Sequence, residues 1–324
     1  MSFSTMSIWI LALIFLAGLA CIIQGGSAFV DGSASLAEQA GVPPVLIGAT
    51  IVSLATTMPE LLVSVFAAAQ GSTELAVGTA VGSVTANTGL ILAAALLFMP
   101  GRAPRKTYFG KCFLLLAAIV TLAVFTRSGE LILPGVLVLV TLFTVFFVEN
   151  MFLARDTHAE TVSAAGDKKT AAPKGTAAKN ILLFLFGAAG ILIGAQLLVR
   201  SASAIAERLG VPEAVIAVTI VAVGTSLPEL VTTITAIVKK QAALSIGNIL
   251  GANLLDTALI LPLCGLISGR ALPIGAQSLA LDIPVCLVCT AIALLPPLLA
   301  ERFYRWQGAA LLAVYLCYLG FVVF

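Results

Sequence analysis

Residues Thr50–Glu60 read TIVSLATTMPE and residues Thr219–Glu229 read TIVAVGTSLPE, one eleven-residue pattern used twice, 169 positions apart. Each copy sets a proline and a glutamate inside an apolar run. Proline removes a helical hydrogen bond and clashes with the carbonyl four residues back, and glutamate is costly in hydrocarbon unless something binds it. The duplication predicts two broken membrane helices whose breaks face a cation.

Working outward, the composition sets the class. Hydrophobic residues make up 60% of the 324 and charged residues 10%, with a mean hydropathy of +1.13. That is far more apolar than a soluble domain and predicts an all-α integral membrane protein. Apolar runs of about 20 residues mark membrane helices. Ten are expected, near Ile8–Val30, Pro44–Ala69, Leu75–Phe98, Cys112–Phe125, Leu131–Phe152, Ile181–Val199, Ala214–Val238, Ala243–Ile267, Leu279–Leu299 and Gly308–Phe324. Unbroken apolar runs argue against a β-barrel, whose strands alternate.

No Lys or Arg precedes the first run, so it reads as a helix that stays, not as a cleaved signal. The six cysteines lie in or beside apolar spans, where they act as small hydrophobes, and Cys286-x-x-Cys289, lacking a second pair, reads as packing. The single His158 falls in the most polar stretch. With no His in any span, an intramembrane enzyme is not expected.

If the N-terminus is outside, 13 of the 17 basic residues fall on the cytoplasmic side and only Arg127, Arg200, Arg208 and Arg270 on the other. Basic residues favour the cytoplasm, so both termini are expected outside a cell membrane, and the net charge of +2 reflects topology, not nucleic-acid binding. The polar segment 154–179, rich in Ala, Thr and Lys, reads as a flexible cytoplasmic linker between residues 1–153 and 180–324. Five spans on each side of it force the second half to run through the membrane in the opposite sense. The expected architecture is therefore two inverted five-helix repeats.

The 169-residue offset extends beyond the motif. Gly41-Val42-Pro43 meets Gly210-Val211-Pro212, Gly78 and Gly82 meet Gly247 and Gly251, and Asn87 meets Asp256. Thr56 and Thr57 lie four and three residues before Glu60 and are expected on its helical face, as are Thr225 and Ser226 before Glu229. Pro59 and Pro228 leave the carbonyls of Ala55 and Gly224 without their usual donors. Ser83 lies one turn before Asn87, and the Gly-x-x-x-Gly stripes allow close helix approach. A cluster of oxygen ligands with three carboxylates and neither His nor Cys suits Ca²⁺ and Na⁺.

Residues 48–92 and 217–261 resemble the two alpha-repeats of the sodium/calcium exchanger family, in its prokaryotic form. The resemblance implies a secondary antiporter exchanging Na⁺ for Ca²⁺ at a central site. It implies ligands at Glu60, Glu229, Asp256, Asn87, Thr56, Thr57, Thr225, Ser226 and Ser83, with backbone carbonyls near Ser53 and Ala222. Thr79, Val84 and Ala252 depart from the family pattern. The transported Ca²⁺ and Na⁺ and the bilayer are the expected partners; no cofactor, nucleic acid or obligatory protein partner is expected. A Ca²⁺/H⁺ antiporter of the same superfamily is the alternative, followed by a cation channel.

Overall fold

The computed structural model describes residues 6–164, 177–210, 224, 226–269 and 271–323. The helices in chain order are α1 Ile8–Ala40, α2 Pro44–Thr56, α3 Met58–Ala69, α4 Thr73–Phe98, α5 Arg105–Phe125 and α6 Leu133–Ala164. They continue with α7 Ala177–Arg208, α8 Leu227–Val238, α9 Ala242–Ser268, α10 Ser278–Ala300 and α11 Arg305–Val323. Among the described residues eight of these are long and apolar enough to cross a membrane, and α2 with α3 forms a ninth span bent by 49°. The expected seventh span is described only from Gly224 and Ser226 onward, as α8; Ala214–Val223 lies outside the described residues.

Helix ends follow local chemistry more than apolarity. Helix α1 runs ten residues past the expected Val30, because Asp31–Ala40 contains no proline, and it stops at Gly41, which takes the left-handed conformation at φ 63°. Helix α6 continues to Ala164 and α7 begins at Ala177, so helix occupies both ends of the segment whose composition suggests a linker. Residues 165–176 of that segment lie outside the described residues.

Short strands absent from the sequence reading join the halves. Strand β1 (Gly101–Arg102) pairs antiparallel with β4 (Arg302–Phe303), and β2 (Glu130–Leu131) with β3 (Leu272–Pro273). Each ribbon ties the loop after the third span of one repeat to the loop after the fourth span of the other. The two ribbons exchange roles under the repeat symmetry. Paired strands share a membrane face, so an even number of crossings must separate Leu131 from Leu272. Helices α6, α7 and α9 are three, and α8 stands where the fourth is needed.

Helices α4 and α9 form the centre, 67% and 83% buried over their membrane windows, whereas α1 and α7 are 22% and 28% buried at the periphery. The outer pair meets along glycines spaced by seven in α1, Gly18, Gly25 and Gly32, and facing Gly187, Gly190 and Gly194 in α7. A Cβ at Gly25 would stand 2.8 Å from the Ile191 nitrogen, and one at Gly194 2.8 Å from the Gly18 oxygen. Such contacts let two backbones pack at dispersion range without a hydrophobic driving force. Phe29 and Phe184 stack beside this seam at 4.8 Å. At the end of α8, Lys239 pairs with Asp31 of α1 at 2.6 Å and donates to the Ser27 carbonyl at 2.9 Å. The repeat-related positions are Gln70 and Arg200, so this tie is made only once.

Candidate functional site

Thr57 and Ser226, which lead into the two Pro-Glu pairs, share one backbone conformation. Thr57 has φ −82° and ψ 1°, and Ser226 has φ −87° and ψ 7°. Each precedes a 12-residue helix, α3 or α8, that carries proline and a glutamate in its first turn. Glu60 and Glu229 therefore sit where the partial positive charge of a helix N-terminus favours a carboxylate. The carboxyl end of α2, where a helix is partially negative, arrives at the same break.

Thr56 and Thr57 stand at the 49° bend between α2 and α3. Their hydroxyls cross to the other repeat. Thr57 Oγ1 donates to Glu229 Oε1 at 3.3 Å, and Thr56 Oγ1 donates to Asn248 Oδ1 at 3.2 Å. Asn248 Nδ2 then donates to Thr232 Oγ1 at 3.1 Å, and that hydroxyl donates to the Glu229 carbonyl at 2.9 Å. The chain Thr56, Asn248, Thr232, Glu229 fixes both repeats around one carboxylate.

Asn87 and Asp256 each open a π-helical turn, Asn87–Leu92 in α4 and Asp256–Ile260 in α9. Such turns widen a helix and frequently mark functional positions. Glu60, Glu229 and Asp256 are all fully buried and close enough to repel one another electrostatically. Both carboxylate oxygens of Glu60 and Asp256, Oε2 of Glu229, Oδ1 of Asn87 and Oγ of Ser226 are buried without a hydrogen-bond partner. Buried polar atoms are almost always paired, so this concentration of bare oxygens marks a place for something positive.

Of the remaining expected residues, Ser53 and Ser83 are buried. The Ser53 carbonyl accepts the Thr57 N–H at 2.9 Å and the Thr56 hydroxyl at 3.3 Å. Thr225 and Ala222 lie outside the described residues. Among the described residues no three His, Cys, Asp or Glu side chains form a cage around one point. A bound cation would thus draw on hydroxyl, amide and carbonyl oxygens besides the carboxylates. The glycine stripe of the second repeat works as expected: a Cβ at Gly247 or Gly251 would overlap the carbonyls of Val45 and Ala49, so α9 touches the backbone of α2 beside the site. Gly78 and Gly82 have no such neighbour among the described residues. Cys286 and Cys289 are buried and unbonded.

Asn248 and Thr232 were missed by sequence reasoning. Asn248 stands opposite Thr79 and Thr232 opposite Val63, so the search for matching pairs passes over them. The usable signal was the reverse one, polar residues in an apolar span that the other repeat lacks.

Comparison with known proteins agrees with this geometry. The family model described as sodium/calcium exchanger protein matches residues 10–152 and 179–324. The sodium/calcium exchanger MaX1 of Methanosarcina acetivorans is 30% identical over 95% of this chain and 97% of its own. An uncharacterised membrane protein of Methanocaldococcus jannaschii is 30% identical over 93% of this chain and 94% of its own. The solved structure of the sodium-calcium exchanger NCX_Mj, soaked with Na⁺ and Sr²⁺, superposes with a TM-score of 0.80 at 26% identity, covering 97% of this chain and 99% of that one. A bundle of membrane-length helices, a buried cluster of oxygens and matches over nearly the whole chain lead to one statement: this protein belongs to the sodium/calcium exchanger family.

Proposed function

We infer from its family that the chain is a multi-pass membrane antiporter of cations that include calcium. We propose that it exchanges Na⁺ for Ca²⁺ by alternating access at the oxygen cluster, with Glu60, Glu229, Asp256, Asn87, Ser226, Thr56, Thr57, Ser83 and the Ser53 carbonyl as ligands. Thr225 and the Ala222 carbonyl complete the proposed set. The observation that carries this reading is the group of bare buried oxygens at two mirrored helix breaks. Three carboxylates in a low-dielectric interior resist standing empty, so release of one ion is coupled to entry of another. The peripheral pair α1 and α7 moves against the central helices, and both termini face outside.

Asp256 favours a second reading. One Ca²⁺ leaves an excess negative charge among three carboxylates, and a proton on Asp256 would remove it, as in a Ca²⁺/H⁺ antiporter. Vesicles reconstituted with the protein separate the two. Na⁺-loaded vesicles should take up Ca²⁺ without a pH gradient, and Na⁺-free vesicles with an outward proton gradient should take up little. Uptake driven by the proton gradient alone would replace Na⁺ with H⁺ as the coupling ion.

A further inference from the structure

Helices α5 and α6 are separated on their bilayer-facing side by an open groove of about 620 Å³. Its walls are Arg105, Phe109 and Phe113, at i, i+4 and i+8 on α5, and Val145 and Glu149 on α6. Phe109 and Phe113 stack in parallel at 6.0 Å, and the Arg105 guanidinium lies 4.7 Å from the Phe109 ring centre. The groove is thus apolar along its length and cationic at its mouth. Glu149, the acid on its rim, has an electrostatic partner in buried Lys111. Among the described residues no carboxylate pairs with the Arg105 guanidinium.

The β1–β4 ribbon adds charge at the same end of the helix. It sets Arg102 directly across from Arg302, although like charges opposite each other destabilise an antiparallel pair. Neither arginine has a carboxylate partner among the described residues. Arg302 instead stacks on Tyr304 at 5.6 Å, and Glu301 is engaged by the Arg105 backbone N–H at 3.4 Å. Lys106 and Arg305 are exposed next to them. Tyr304 stacks on Trp306, which is 55% exposed, and exposed Trp and Tyr sit at headgroup depth in a membrane.

The second repeat provides an internal contrast. Its equivalent helices, α10 and α11, are tied across their interface by Tyr318, which donates to Asp282 at 3.0 Å, and Ser278 donates to the other Asp282 oxygen at 2.9 Å. Its equivalent ribbon pairs Glu130 with Pro273 and carries no arginine. The second copy is tied by an acid and two hydroxyls with no arginine at its mouth. The first is tied at Glu149, beside Lys111 and Gly110, and its mouth is basic.

We propose that this groove is a binding site for an anionic phospholipid. The phosphate sits among Arg102, Arg105 and Arg302, and one acyl chain lies along Phe109 and Phe113. Basic residues between membrane helices at the headgroup level select acidic lipids over zwitterionic ones.

The test is native mass spectrometry of the full chain in detergent containing equal phosphatidylglycerol and phosphatidylcholine. The wild type should retain one phosphatidylglycerol at collision energies that strip phosphatidylcholine. The triple variant Arg102→Gln, Arg105→Gln, Arg302→Gln should lower that preference about a hundredfold, to near parity. Val145→Trp, which fills the groove and leaves the charges in place, should abolish retention of the bound lipid. Melting curves in lipid-free detergent confirm that both variants fold. Equal retention of the two lipids by the wild type overturns the proposal. So does phosphatidylglycerol retention that survives both the charge removal and the groove filling.

Discussion

Gly251→Ala probes the contact between α9 and α2 beside the bare oxygens. The added methyl would overlap the Ala49 carbonyl and approach Ser53 Oγ to 2.5 Å, against an ordinary contact of roughly 3.4 Å or more. The two helices must part by about 1 Å. Ser53 and Thr56 ride on α2, while Asn248 and Asp256 ride on α9, so the separation falls on the expected ligand set. A misplacement of about 1 Å costs on the order of a hundredfold in rate where geometry governs the step, and overpacking costs about 1–3 kcal/mol in stability. Na⁺-driven Ca²⁺ uptake into vesicles should therefore fall about a hundredfold. The melting temperature should drop by roughly 2–10 °C. Gly320→Ala on α11, where a Cβ would meet no neighbouring element within 4 Å among the described residues, serves as the control and should change neither quantity. Wild-type uptake and melting by the Gly251 variant would refute the close approach and the siting of transport at this contact.

Glu60→Gln and Glu229→Gln keep shape and remove a charge; each should lower Ca²⁺ uptake by about a hundredfold or more, and calorimetry should show the same loss in Ca²⁺ affinity. Normal uptake by either would displace the site. Asn248→Ala leaves the hydroxyls of Thr56 and Thr232 without their shared partner, at about 1–3 kcal/mol, so Ca²⁺ affinity should weaken roughly tenfold while Asn248→Asp retains more of it. A single cysteine replacing Lys240, at the end of α8 in a thiol-free chain, should resist impermeant reagents in intact cells and react after permeabilisation; labelling of intact cells would reverse the orientation.

The repeated Pro-Glu motif made the break before α3 legible, because proline in an apolar run has few structural outcomes, and the apolar runs made the membrane helices legible. Burial of Glu60, Glu229, Asn87 and Asp256 followed from the same reasoning, since an acid in a membrane helix faces inward or not at all. The rest depended on relations between distant segments. Thr57 Oγ1 donates to Glu229 from 172 positions away, a pairing that no local spacing encodes. The π-helical turn at Asn87 packs against α11 and α9 and the one at Asp256 against α6 and α4, and nothing in Asn-Thr or Asp-Thr announces them. The strands are two residues long, too short for any periodicity to show.

Those strands impose an order on synthesis. Arg102 waits for Arg302, 200 positions later, and at about 5–20 residues per second roughly 10–40 s pass before the partner is made. The first repeat holds β1 open through that interval, and β2 until Leu272 is made, 141 positions after Leu131. It cannot satisfy them itself, because β1 pairs with β4 and β2 with β3. A chain ending at Val238 would carry both Pro-Glu motifs and still lack both ribbons. Duplicated in sequence, the halves are not independent as folding units: the first finishes only when the last loop of the second leaves the ribosome.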